Sequence, residues 1–298
     1  MRDNSPTETS EQHLEEGLEA IKKVADSFAA DLENFELPKP RPSKDRLTYW
    51  FPKLWNGYQA YLPKTIVIPY NHFDFLEIME EDYAARPEVV SSNMTLLKQC
   101  WDACVELMPF SQDIGVFVRT DLACAKHDGP KGYLIQKKED VYPVLSRLVE
   151  DNEIKFGNEI TFGFDSLIPG AFCFRQYLKL NSKFTAFGGL PIANELRMFV
   201  HKDKGVQCIH NYWPKEAIKR PSVSDWEKQL LELQESNLAK VKPFEELIEM
   251  ASCMVDTLGS SETGDSWSVD FAEDVEGVWW MIDCADANRS WHPEHTNA

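Results

Sequence analysis

The sequence has no run approaching the roughly 18 uninterrupted apolar residues that a membrane-spanning helix needs. Its start, MRDNSPTETSEQ, has neither a basic cluster nor an apolar core. A membrane span and a secretory leader are therefore not expected, and the chain reads as cytoplasmic. Cysteine is unpatterned: there are seven, an odd number without framework spacing, which suits a reducing compartment better than a disulfide scaffold. Cys100 and Cys104 form the only close pair. With no second ligand pair following them, they read as buried thiols rather than metal ligands. Positive charge is scarce, with 31 Lys and Arg against 49 Asp and Glu, a net charge of −18 and a pI near 4.8. Such a surface repels phosphate backbones and anionic bilayers, so neither nucleic acid nor a membrane is expected as a partner. A small anion must be held by a local basic cluster instead.

What is present is a core. Hydrophobic residues make up 43% of the chain, with 17 Phe, nine Tyr and nine Trp to fill it. Leu14, Leu18, Ile21, Ala25, Phe28 and Leu32 recur at helical spacing in an acidic N-terminal stretch, a surface for docking on a core or on a protein partner. LPKPRPSKD ends it as a linker, so residues 1–45 form a first segment. Residues 46–110 read as an α/β segment with a strand at Thr65–Pro69 and a helix closed by Pro109. DIGVFVRTD and AFCFRQYLKL read as strands, and VYPVLSRLVED as a helix. PIANELRMFVHKDKGVQCIHNYW reads as two strands joined at Asp203-Lys204-Gly205. A stripe of Phe244, Leu247, Ile248, Ala251, Val255 and Leu258 reads as a core-facing helix. SWSVDFAEDVEGVWWMIDCA reads as a hairpin that brings Asp270 and Asp283 side by side, a conflict of like charges that a divalent cation resolves.

Polar residues interrupt these apolar strands in a telling order. Arg119, Lys126, Arg175, Gln176, Glu195 and Arg197 come first, and Asp270 and Asp283 come last, as a metal–nucleotide site requires. Guanidinium forks and a mobile ammonium suit phosphate oxygens, and paired carboxylates suit Mg²⁺. RTDLACAKHDGPKGY, residues 119–133, concentrates the positive charge, and its Lys126-His127-Asp128-Gly129 has the K-x-D-G spelling of covalent nucleotidyltransferases. No lysine follows residue 242 to serve the same phosphates. Lys126 therefore reads as a clamp rather than a nucleophile, and Asp128-Gly129 as a loop turn. His292 and His295 read as a tail, because Pro293 prevents a shared helical face.

FVRTDLACAKH, FRQYLKL, ELRMFV, SWSVDFA and WWMIDCADANRSWHPE together resemble the ATP-grasp superfamily, in particular its small R2K clade, over about residues 112–295. The resemblance implies an α+β fold in which two α+β lobes, residues 111–180 and 181–298, sandwich ATP after the α/β segment. It implies an ADP-forming ligase that activates a carboxylate as an acyl phosphate for attack by an amine or similar nucleophile, on small-molecule or peptide substrates. Carried over, Arg119 and Lys126 bind phosphate, and Arg175, Gln176, Tyr177 and Leu178 form the hinge beside the adenine. Glu195 and Arg197 match the E-x-R strand, with Arg197 and Lys126 in catalytic roles, and Asp270 and Asp283 hold Mg²⁺. The usual acid-x-Asn fails at Ala285, leaving Asn288 or Asp286 as third ligand. YWFPKLWNGYQAYLPKTIVIP is also similar to the translation-factor assembly chaperones, relatives that bind ATP, so a non-catalytic chaperone is the alternative expectation.

Overall fold

Alternation of apolar and polar residues along the strands decides the architecture. A computed structural model describes residues 43–79, 86–112, 114–123, 129–161, 168–238, 241–260 and 263–292. All belong to one unit, Pro40–Ala298. The expected N-terminal helix lies outside the described residues. The fold is α+β, with antiparallel sheets.

The first sheet has the order β1-β4-β2-β3, with β1 at Thr65–Pro69, β2 at Val116–Thr120, β3 at Leu134–Ile135 and β4 at Ala171–Gln176. Ile66, Ile68, Val116, Val118, Phe172 and Phe174 enter one core. That core is closed by α2 (His72–Met79), α3 (Pro87–Leu107) and α4 (Val141–Thr161). Side chains alternate across a strand, so Phe117, Arg119, Cys173 and Arg175 fall on the opposite face, in the register Phe117↔Arg175 and Arg119↔Cys173. Strand β1 has the bounds expected from its β-branched run, yet it pairs with β4 through Thr65↔Arg175. The boundary expected at residue 110 therefore falls inside one sheet. Cys100 and Cys104 are fully buried in this core, and burial pushes both thiols up, that of Cys104 to about 12.

The second sheet has the order β10-β9-β7-β8, with β7 at Glu195–His201, β8 at Gly205–Asn211, β9 at Ser266–Glu273 and β10 at Trp279–Asp286. Leu196, Met198, Val200, Trp267, Val269, Phe271 and Met281 pack against α1 (Leu47–Tyr58) and α6 (Val241–Leu258). The expected stripe of α6 is core: Leu247, Ala251, Val255 and Leu258 are all buried. Helix α1 is harder to foresee, because Pro52 stands inside it and removes a backbone donor. Burial of Leu47, Trp50, Phe51 and Leu54 offsets that cost. The stretch PIANELRMFV is not one strand but two. Leu190–Ala193 (β6) pairs with Ser182–Ala186 (β5), and the chain passes to the second sheet at Asn194. This small hairpin shares a third core with Tyr133, Trp213 and Leu230 of α5 (Trp226–Leu238).

A buried ion pair fastens α1 to the first sheet. Arg46, at the N-cap of α1, donates to Asp121 at 2.7 Å, and both side chains are almost wholly buried. Asp121 also accepts from Thr48 Oγ1 at 3.1 Å and from the Gly170 N–H at 3.0 Å. Lys44 Nζ donates to the carbonyls of Gly264 and Ser266, tying the same segment to the start of β9. No described helix is long and apolar enough to cross a membrane.

Removing one partner of a buried pair strands the other charge. Asp121→Ala is expected to lower stability by about 3–5 kcal/mol. The check is the urea midpoint with an unchanged denaturant slope.

Candidate active site between the sheets

The polar faces of the two sheets meet around a cavity of about 260 Å³. Its charged lining comes from five strands: Arg119 of β2, Arg175 of β4, Glu195 of β7, and Asp270 and Asp283 of β9 and β10. Phe117, Tyr133, Tyr177, Tyr212 and Trp213 supply aromatic walls, and Leu178, Leu180 and Leu190 an apolar floor.

The expected hairpin forms, and Asp270 and Asp283 are direct cross-strand partners. A β-bulge between Met281 and Asp283 breaks the register there. It turns the Ile282 carbonyl and the Asp283 carboxylate toward the first sheet. Arg175 Nη1 donates to Ile282 O, and Arg119 Nη1 donates to Asp283 Oδ2 at 2.8 Å. On the other side, Arg197 donates to Asp270 through Nε and Nη2, each at 2.8 Å. The two acids are thus relieved by two guanidinium groups, where the sequence suggested a divalent ion alone. Burial opposes charge on Asp283 most strongly. The Arg119 charge and hydrogen bond, Arg175 and the Cys284 N–H outweigh it and hold the carboxyl below the usual carboxylate range. Burial likewise disfavours the Arg197 cation, and Asp270 more than offsets this.

Of the expected hinge residues, Arg175, Gln176, Tyr177 and Leu178 all line the cavity. Arg175 Nε also donates to Thr65 Oγ1 at 3.2 Å. The N–H of Gln176 donates to Lys64 O at 2.8 Å and that of Tyr177 to Ser111 Oγ at 3.0 Å. A base edge read here therefore falls to other main-chain groups of this segment. Glu195 accepts from Trp213 Nε1 at 2.9 Å, which fixes the indole wall. Arg197 reaches the site through Asp270 and is not itself part of the lining. Asn288 is exposed on the turn Ala287–Arg289, its N–H donating to Asp286 Oδ1, and it does not line the cavity. Asp286, the other candidate, is buried and also outside the lining. Lys126, His127 and Asp128 lie outside the described residues.

Gly129 fixes the end of that basic loop. Its φ is +79°, and a Cβ there would stand 2.9 Å from Gly188 O in the β5–β6 turn. Of the aromatic walls, sequence reasoning reached Tyr177 and missed Phe117, Tyr133, Tyr212 and Trp213. Tyr212 and Trp213 follow β8 in NYW, where alternation from the strand is the one available signal.

The donor set fits Mg²⁺ and a nucleotide. Asp283 keeps 36% of its side chain accessible. It spends its two oxygens on one donor each, Arg119 Nη1 and the Cys284 N–H, of about four lone-pair sites. No family model matches the chain, and no curated protein matches it. Similar solved structures include C-terminally truncated Cdc123 from Schizosaccharomyces pombe, at 12% identity over 86% of this chain and 92% of that one, with a TM-score of 0.47. The ATP-grasp ligase PsnB complexed with precursor peptide PsnA2 and AMPPNP matches at 12% identity over 99% and 70%, with a TM-score of 0.35. D-cycloserine synthetase DcsG matches at 8% over 81% and 62%, with a TM-score of 0.37.

Gly129→Ala meets both a disfavoured dihedral and a backbone contact, and is expected to cost about 1–3 kcal/mol in thermal or urea unfolding. An unchanged midpoint is the contrary result.

Proposed function

We propose that this chain is an Mg-ATP-dependent ligase of ATP-grasp type, akin to the R2K clade. It joins a carboxylate, on a small molecule or peptide, to an amine or similar nucleophile. One observation carries this reading: Arg119 and Arg175 on one sheet face Asp270 and Asp283 on the other across a single aromatic-walled cavity. Positive groups for phosphate oxygens and acids for a hard cation are what phosphoryl transfer asks of a protein.

When bound, Mg-ATP supplies a transferable phosphoryl group and a metal charge on its oxygens. Arg119 and Arg175 would bind the phosphates, Asp270 and Asp283 the Mg²⁺, and the segment Gln176–Leu178 with its aromatic neighbours the base. Lys126 is assigned a further phosphate contact. Trp213, held by Glu195, and the apolar floor exclude water from the reacting end. Arg197 orients the Asp270 carboxylate through two hydrogen bonds.

A second reading, an ATP-binding assembly chaperone without turnover, is favoured by that same pair. The Arg197 side chain is spent on Asp270 instead of facing the cavity, where a ligase of this type is expected to use it.

Purified protein incubated with Mg-ATP and a panel of amino acids and short peptides is expected to release ADP and phosphate on addition of the right pair. ATP binding with no turnover supports the chaperone, and no ATP binding sinks both. Arg119→Lys keeps the charge but loses the fork. It is expected to raise the Kd for ATP by about tenfold or more, or about 1.4 kcal/mol. Isothermal titration provides the check.

A further inference from the structure

A second cluster of potential ligand atoms lies on the same face of the second sheet, one strand beyond Arg197. Strand pairing sets Asp283, Asp270, Arg197 and His210 in one row across β10, β9, β7 and β8. The next row contains Ser268, Phe199 and Cys208. Cys208 and His210 are two residues apart on β8, so both project from this face.

The chain then returns across it. After β10 and the turn Ala287–Arg289, Ser290 Oγ bonds to Ser268 Oγ, and the Trp291 carbonyl comes within 3.5 Å of Arg197 Nη1. His292 ends this passage with its Nε2 at 3.2 Å from His210 Nε2 and 3.3 Å from Cys208 Sγ. Phe199 buttresses both imidazoles edge-on, with ring centroids 5.9 Å and 4.8 Å away. The three ligand atoms all lie within 4.8 Å of one another.

Hydrogen bonding alone serves this geometry poorly. A ring nitrogen offers one lone pair or one proton, yet His292 Nε2 faces two partner atoms at once. A cation at the centre uses all three lone pairs together. Tetrahedral zinc, with bonds of about 2.0–2.1 Å to nitrogen and 2.3 Å to sulfur, sets its ligand atoms about 3.3–3.6 Å apart. The separations of 3.2 Å and 3.3 Å lie at the lower edge of that range.

We propose that Cys208, His210 and His292 form a binding site for a divalent ion of the zinc class, separate from the cavity and from any Mg²⁺ there. One thiolate and two imidazoles select zinc over magnesium or calcium, which take oxygen ligands. On binding, the Cys208 thiol releases its proton to solvent as the sulfur–metal bond forms, and both imidazoles bind neutral through Nε2. The fourth position is left to water or another donor. Since two ligands come from β8 and one from the C-terminal passage, the ion staples that passage to the sheet beside Arg197.

The full chain, stripped of metal with a chelator, is titrated with Co²⁺. The expected result is one equivalent bound, with visible bands of tetrahedral intensity and a thiolate-to-cobalt charge-transfer band, all bleached by Zn²⁺. Cys208→Ser removes the charge-transfer band, and His292→Ala weakens Co²⁺ binding by more than about tenfold. No saturable binding, or a charge-transfer band that survives in Cys208→Ser, overturns the proposal. A measurement on the unaltered chain covers a variant that fails to fold. Zn²⁺ should slow alkylation of Cys208, mapped by peptide mass, while leaving the exposed Cys253 unaffected. Equal Cys208 rates with and without Zn²⁺ also overturn it.

Discussion

The bulge in β10 is the feature on which the cavity depends. A regular strand would present alternate residues to the two faces in turn and keep its carbonyls in the ladder. The slip between Met281 and Asp283 frees Ile282 O for Arg175 and aims Asp283 at Arg119. Two arginines from one sheet thereby grip one short stretch of the other. Because these are charge-assisted bonds in a partly desolvated place, each is stronger than a neutral bond and holds the two polar faces at a fixed separation.

The acidic character of the whole chain gives this arrangement its sense. With a net charge of −18, the protein has no broad positive field with which to attract a polyphosphate. It concentrates guanidinium groups where apolar walls lower the local dielectric. The carboxylates that balance them keep the site near neutral without a ligand. An arriving anion therefore competes with carboxylates already in place, and a metal ion that takes up those carboxylates would favour the exchange.

Much of this was legible in the sequence because strands write their faces in alternate residues. Thr65–Pro69 was readable from its consecutive β-branched residues, and the facing of Asp270 and Asp283 from the symmetry of a hairpin. The polar interruptions at Arg119, Arg175 and Glu195 marked the cavity wall. Other parts depended on tertiary partners that no local pattern encodes. Helix α1 was hidden by Pro52, whose cost is offset only by burial against α6 and the second sheet. Neutralisation of the two aspartates by Arg119 and Arg197 required the registers of both sheets. His292 seemed a tail residue because its companions, Cys208 and His210, lie more than 80 residues earlier. The pairing of β1 with β4 across residue 110 was hidden for the same reason.

The placement of α1 bears on how the chain is made. Trp50, Phe51 and Leu54 leave the ribosome well before the surface they cover, which is built from Val241–Leu258 and the β9–β10 hairpin. Until the chain has been synthesised through Trp279–Asp286, this aromatic ridge lacks its native covering. Closure of the second core therefore joins segments far apart in sequence, α1 with α6 and the β9–β10 hairpin, and such non-local contacts slow folding.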